Sequence, residues 1–73
     1  MKDLNSIMSR VLGIPLDHIH DQLTRDGTPE WDSFNHLMLV SEVEKNMGIR
    51  LSMAEIESIK TYDNLIRIVQ KKI

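Results

Sequence analysis

Ser33 is the side chain whose type and position are best suited to chemistry. It follows Trp31 and Asp32 at the end of a turn-rich segment and directly before a long amphipathic stretch. The first backbone N–H groups of a helix have no partners within the helix and carry partial positive charge, so that a phosphate attached there is stabilised. The alternative interpretation is that Asp32 or Ser33 only caps the helix, as such residues most often do.

A hydrolase is a second interpretation of the same residues, because His36 lies one turn after Ser33 and Asp32 lies beside it. A nucleophilic serine needs a base within reach, a group that orients the base and an oxyanion site. Three neighbours on one helical turn rarely supply that geometry. We therefore expect no catalysis by this chain, and we expect His36 to pack or to form a hydrogen bond near the core.

Two further histidines, His18 and His20, lie in a loop between Asp17 and Asp21. Two histidines without further fixed ligands are a weak signal for a metal, so we expect solvated loop residues and no metal site. The sequence has no cysteine. This excludes disulfides, thiolate ligands and a cysteine nucleophile.

Length and charge limit the remaining classes of function. The chain has 73 residues, 41% of them hydrophobic, which is enough for one domain over residues 1–73 with a single small core. A net charge of −2 argues against binding to nucleic acid, which requires a basic face. No apolar run approaches the roughly 20 residues of a membrane span, and residues 1–5 lack the apolar stretch of a secretion signal. We expect a soluble, cytoplasmic monomer.

Apolar residues recur at helical spacing in four segments, which predicts an all-α four-helix bundle of three longer helices and one short one. The expected helices cover Lys2 to Leu12, Ser33 to about Met47, a short segment after Ser52, and a last segment capped by Thr61. The segment 13–31 is rich in turn formers and is expected to be a long loop, which Leu16, Ile19 and Leu23 attach to the core. A loop of this length in a small domain indicates a function.

The second predicted helix has two different faces. Its core-facing side is expected to carry Leu39, Val40, Val43 and Met47, with Leu37 at the edge. Its opposite side carries Phe34, Met38, Ser41 and Lys45, and Glu42 and Glu44 lie on the flanks. Phe34 and Met38, one turn apart, are expected to form a small exposed apolar patch beside Ser33.

The run from Asp32 to about Val69 resembles the acyl carrier protein family. The attachment motif of that family is Asp-Ser-Leu or a close variant at the start of the second helix, and this chain has Asp32-Ser33-Phe34 there. Three further segments fall at the family's spacing without a gap, namely Glu42-Val43-Glu44, Gly48-Ile49-Arg50-Leu51 and Ile59-Lys60-Thr61-Tyr62. The first helix and the long loop agree with the family in length and character.

This resemblance implies a covalent cofactor. Ser33, with Asp32 as part of the motif, would be esterified to 4'-phosphopantetheine from coenzyme A by a separate, magnesium-dependent phosphopantetheinyl transferase. The terminal thiol of this arm would carry an acyl or aminoacyl group as a thioester. The partners would be that transferase, a loading ligase or acyltransferase, and downstream biosynthetic enzymes. The carrier itself would catalyse nothing.

The second helix departs from the fatty-acid-synthesis members of the family, in which this helix is strongly acidic. The expected docking residues here are mixed in character: Phe34, Met38, Ser41, Glu42 and Lys45. This difference favours a specialised carrier with dedicated partners, and Trp-Asp-Ser looks like carriers of secondary or surface-polysaccharide pathways. Some family members shelter acyl chains between their helices, in a cleft that would here be lined by Leu39, Val40, Val43, Met47, Ile56 and Ile59.

Two alternatives remain open. A stand-alone peptidyl or aryl carrier would use the same serine, but such carriers usually have glycines and an apolar residue before it, whereas this chain has Glu30-Trp31-Asp32. A small helical interaction module would leave Ser33 unmodified.

Overall fold

Four α-helices follow one another in the computed structural model, which describes the backbone of residues 2–73 and the side chains from residue 4 onward. They are α1 (Lys2–Leu12), α2 (Ser33–Met47), α3 (Met53–Ser58) and α4 (Tyr62–Lys72). The long connection between α1 and α2 contains one turn of 3₁₀ helix, Leu16–His18. Over residues 2–73 the chain forms no strand beyond an isolated bridge, so the predicted all-α bundle is confirmed.

Side-chain caps begin the last three helices at the residues where the sequence predicts them. These caps are Asp32 for α2, Ser52 with Glu55 for α3, and Thr61 with Asn64 for α4. Each cap accepts a hydrogen bond from a first-turn N–H group that has no partner within the helix. Gly48 ends α2 in the left-handed conformation, with φ of 66°, which glycine adopts without a steric cost.

The core lies between the helices and takes one face from α1, α2 and α4. Its members with the least exposed side chains are Leu4, Met8, Leu39, Val43, Ile59, Tyr62, Leu65 and Val69. Two expectations for the faces of the helices need correction. Leu37 is 59% exposed and does not lie at the edge of the core, and Met47 is only partly buried.

The long loop is attached to the start of α4 by main-chain hydrogen bonds. The N–H of Arg25 donates to Lys60 O at 2.9 Å, and the N–H of Tyr62 donates to Leu23 O at 2.9 Å. Between them, Thr24 and Thr61 form the isolated bridge. These bonds hold the middle of the loop against the junction of α3 and α4.

The side-chain anchors of the loop agree only partly with expectation. Ile19 is buried and Leu23 packs against the core, as predicted. Leu16 is 54% exposed, because it lies in the 3₁₀ turn, none of whose residues is buried. The strongest anchor is Trp31, which is 2% exposed at the end of the loop. Trp31 therefore fixes the chain two residues before Ser33.

Replacing Leu39 by alanine tests the packing of α2. Because Leu39 is almost completely buried, we expect Leu39→Ala to lower the free energy of unfolding by about 2–5 kcal/mol. Ser41→Ala, two residues further along the same helix and exposed, is the matched control and should change it by less than about 0.5 kcal/mol. Urea denaturation followed by circular dichroism measures both, and equal effects of the two substitutions would contradict the core assignment.

Candidate functional site

Ser33 is the first residue of α2, and its side chain is exposed. The capping function belongs to Asp32, whose Oδ1 accepts a hydrogen bond from the N–H of Asn35 at 2.8 Å. The side chain of Asn35 in turn donates to Glu30 O at 2.8 Å. Within residues 4–73, whose side chains are described, no hydrogen bond involves the Ser33 hydroxyl. Ser33 is thus not needed as a cap, and its Oγ is open to solvent.

His36 is buried one turn after Ser33, and both of its ring nitrogens are engaged. The indole N–H of Trp31 donates to His36 Nδ1 at 3.0 Å. Because Nδ1 accepts, the ring hydrogen lies on Nε2, which donates to Ile56 O at 2.9 Å. The expectation that His36 packs and forms hydrogen bonds is confirmed. Its neutral ring has no nitrogen left with which to activate Ser33.

We call these three residues, Trp31, His36 and Ile56, the imidazole bridge. They belong to the end of the loop, the first turn of α2, and α3 respectively. Ser33 lies between two of them in sequence. The bridge therefore fixes the direction in which the chain enters α2 and the distance of α3 from the serine.

The surroundings of His36 favour its neutral form. Burial lowers the pKa of His36; the hydrogen bond to Ile56 O acts in the opposite direction, and the positive charges of Arg25 and Lys60 lower the pKa further. A second proton on Nδ1 would also remove the acceptor for the Trp31 N–H. Protonation of this ring is thus opposed by burial, by the two nearby positive charges and by the hydrogen bond from Trp31.

A shallow depression of about 200 Å³ lies beside Ser33, between α2 and α3. It is lined by Arg25, Ser33, His36, Leu37, Met53, Ile56 and Glu57. Leu37 and Met53 give it exposed apolar walls. Of the residues that would line an acyl cleft, Ile56 lines this depression, whereas Leu39, Val43 and Ile59 lie in the core and Val40 is buried. We call this feature the α2–α3 depression.

A second open groove, of about 250 Å³, lies on the surface between α1 and α2. Phe34 and Met38 line it and are 72% and 43% exposed, so the predicted apolar patch beside Ser33 is present. Glu42 is half-buried and forms an ion pair with Arg10 of α1 at 3.1 Å. Ser41 and Lys45 are exposed. The ion pair neutralises one of the two carboxylates that the sequence placed on the flanks of α2. We call this feature the α1–α2 groove.

His18 and His20 are both exposed in the long loop. Among the described residues, no three histidine, cysteine, aspartate or glutamate side chains lie close enough together to hold a metal ion. In the same part of the chain, no helix is both long and apolar enough to cross a membrane.

Comparison with known proteins adds no relative: no protein-family model and no curated protein matches the chain. A functional assignment therefore depends on the geometry around Ser33. Sequence reasoning missed three residues of this geometry, namely Arg25, Met53 and Glu57, and it placed Leu37 at the edge of the core-facing side. Of these residues, only Leu37 had a signal in the sequence, namely its helical spacing. That signal was ambiguous, because a side chain at the edge of a helix face can point toward the core or toward solvent.

The imidazole bridge predicts acid sensitivity. Since the pKa of His36 in the folded chain is lower than its ordinary value of about 6.5, the unfolded chain binds the extra proton more readily. Stability should be complete above about pH 6.5 and should fall as the pH drops below it. Urea midpoints between pH 8 and pH 5 measure this. Hydrogen bonds from Ser52 and Lys72 lower the pKa of Glu55. This carboxyl group therefore affects the pH dependence of stability only at more acidic pH.

His36→Gln should be less stable at pH 8 and should lose most of the pH dependence between pH 7.5 and 5.5. A double substitution of the exposed His18 and His20 by glutamine is the matched control and should keep it. A flat profile for the control, or an unchanged slope for His36→Gln, would assign the pH dependence to other groups.

Proposed function

We propose that this chain is a non-catalytic carrier of the acyl carrier protein type, in which Ser33 bears a 4'-phosphopantetheine arm. When bound, the arm supplies a terminal thiol that holds an acyl or aminoacyl group as a thioester. The observation that carries the proposal is the exposed Ser33 hydroxyl at the first residue of α2, with Asp32 in the capping position. An attached phosphate is favoured there, because it lies at the positive end of the helix dipole.

The chain contributes only the nucleophile to the modification. The Ser33 Oγ attacks the phosphorus of coenzyme A that is bonded to pantetheine, and the pyrophosphate P–O bond breaks. Adenosine 3',5'-bisphosphate leaves, and the hydroxyl proton passes to a base of the magnesium-dependent transferase. His36 cannot be this base, since Trp31 and Ile56 occupy both of its nitrogens. The same fact argues against a serine hydrolase.

The α2–α3 depression is a suitable surface for the first part of such an arm. Leu37, Met53 and Ile56 present apolar side chains directly beside Ser33. Its volume of about 200 Å³ lies below the roughly 300–1,000 Å³ of pockets that enclose a small ligand. A cargo on the arm would therefore rest against the surface and remain accessible to a partner enzyme.

The α1–α2 groove is the proposed docking surface for partner enzymes. Phe34 and Met38 give it an apolar centre, and Arg10 and Glu42 give it a charged edge. Small surfaces of mixed character suit encounters that must be reversible, and the arm then presents its thioester at high effective concentration. Ser41 and Lys45, exposed on the same helix, extend this surface. The paired Glu42 fits dedicated partners better than enzymes that recognise a strongly acidic helix.

The proposed partners are the phosphopantetheinyl transferase, a loading ligase or acyltransferase, and the downstream biosynthetic enzymes. We expect the carrier to act as a monomer in the cytoplasm, where coenzyme A is available. A peptidyl or aryl carrier would use the same serine and the same depression and would differ in the acid that is loaded.

Intact-mass analysis after incubation with coenzyme A, magnesium and a broad-specificity phosphopantetheinyl transferase tests the proposal. The chain should gain the mass of one 4'-phosphopantetheine group. Ser33→Ala should gain nothing, whereas Ser6→Ala, which removes an exposed hydroxyl on α1, should gain the same mass as the unchanged chain. An unmodified chain would favour a plain interaction module, and a mass gain that persists in Ser33→Ala would place the arm elsewhere.

Phe34→Glu should weaken docking, because a carboxylate then has to be desolvated at the apolar centre of the groove. We expect kcat/KM for modification of Ser33 by the transferase of the source organism to fall about tenfold, which corresponds to about 1.4 kcal/mol. Gln70→Glu, which adds the same charge at an exposed position of α4, is the control and should leave the rate unchanged. Equal rates for all three proteins would show that Phe34 does not contact this partner.

A further inference from the structure

Arg25 lines the α2–α3 depression together with Ser33, although the two residues are eight positions apart in sequence. The main chain holds Arg25 there, since its N–H donates to Lys60 O at 2.9 Å. Its positive charge also acts on the buried ring of His36, the neighbour of Ser33 in the same depression. The main chain of Arg25 is thus held where its side chain lines the depression that contains the proposed attachment site.

The hydrogen-bonding capacity of this guanidinium is mostly unused. Arg25 is half-buried, and its one side-chain hydrogen bond within residues 4–73 is a long contact of 3.3 Å from Nη1 to Ile59 O. No carboxylate among these residues lies within ion-pair distance of it. A guanidinium has five N–H donors in a planar fork that matches an oxyanion. Arg25 therefore has the donors and the charge for an anionic partner.

Negative charges already lie near the attachment site. Asp32 precedes Ser33, and Glu57 lines the same depression. A phosphodiester on Ser33 would add a further negative charge beside these two carboxylates. Arg25 is the positive side chain that lines the depression with Ser33, and Lys60 is the other cation near His36. A phosphodiester at this point is thus best accommodated when a cation pairs with it.

We propose that Arg25 binds the phosphodiester that joins the arm to Ser33. This inference rests on the proposed function. The phosphorus would be bonded directly to Ser33 Oγ, so the anion is held at the edge of the depression that Arg25 lines. A carboxylate on the cargo is also an anion that a guanidinium can bind. It would lie at the far end of a long flexible arm, whereas the phosphodiester is next to Ser33. Charge-assisted Arg–phosphate bonds are short and often bidentate.

The proposed contact gives the arm a direction. It draws the first atoms of the arm over Leu37 and Met53, on the α3 side of α2. Phe34 and Met38 then remain uncovered on the α1 side, where partners are proposed to dock. Arg25 is in this sense a positioning residue.

The ³¹P NMR resonance of the phosphodiester tests the contact on protein whose modification has been verified by intact mass. A chain that cannot be modified at all would refute the proposed function. Comparison of modified Arg25 variants with the modified unchanged protein tests the role of Arg25 alone. We expect Arg25→Gln to move the resonance toward its position in urea-unfolded protein, and we expect Arg25→Lys to move it less. Arg50→Gln, which removes an exposed arginine that does not line the depression, should leave it in place. Circular dichroism confirms that each variant is folded.

An identical resonance in the unchanged protein and in folded Arg25→Gln would overturn the proposal. A second comparison distinguishes the two sources of the anion, using the ¹⁵N shift of Arg25 Nε in protein with a free, an acetylated and a malonylated arm. We expect the shift to change when the arm is attached and to be the same in the three forms. A change that requires the malonyl group would assign Arg25 to a cargo carboxylate and would contradict the phosphodiester contact.

Discussion

The hydrogen bonds of the His36 ring connect the end of the loop, the first turn of α2 and α3. Main-chain bonds hold the middle of the loop, and α3 has only six residues, so the bridge supplies the contact that joins these segments beside Ser33. Trp31 donates to one ring nitrogen and Ile56 accepts from the other. In a buried position such bonds are strong, and leaving either group without a partner is costly. The start of α2 and the α2–α3 depression both depend on this bridge.

This constraint explains how a chain of 73 residues presents an exposed serine hydroxyl on a fixed frame. The core and its partly buried border take most of the large aliphatic side chains, which leaves little material for an enclosed pocket. Asp32 caps α2 and leaves Ser33 exposed at its first residue. The loop supplies Arg25, and α3 supplies Met53. The resulting surface is suited to hold one end of a flexible group, which the proposed carrier function requires.

Most of the fold could be predicted from the sequence, because helical spacing and caps are local signals. The bounds of α1 and α2 and the capping box of Ser52 with Glu55 are examples. The errors concern residues whose environment depends on contacts between distant segments. Leu16 and Leu37 are apolar but exposed, because nothing in their local spacing shows which way a loop turn or the edge of a helix faces. Arg25 could not be assigned to the site, since its position comes from a main-chain bond to Lys60, 35 residues away.

The most direct test of the central claim is tandem mass spectrometry of the protein isolated from its own cells. If Ser33 is the attachment point of a phosphopantetheine arm, collisional activation should eject the pantetheine fragment, and the modified peptide should be the one that contains Asp32-Ser33-Phe34. Detection of only the unmodified peptide in cells that contain an active phosphopantetheinyl transferase, or of an arm on another residue, would contradict the account.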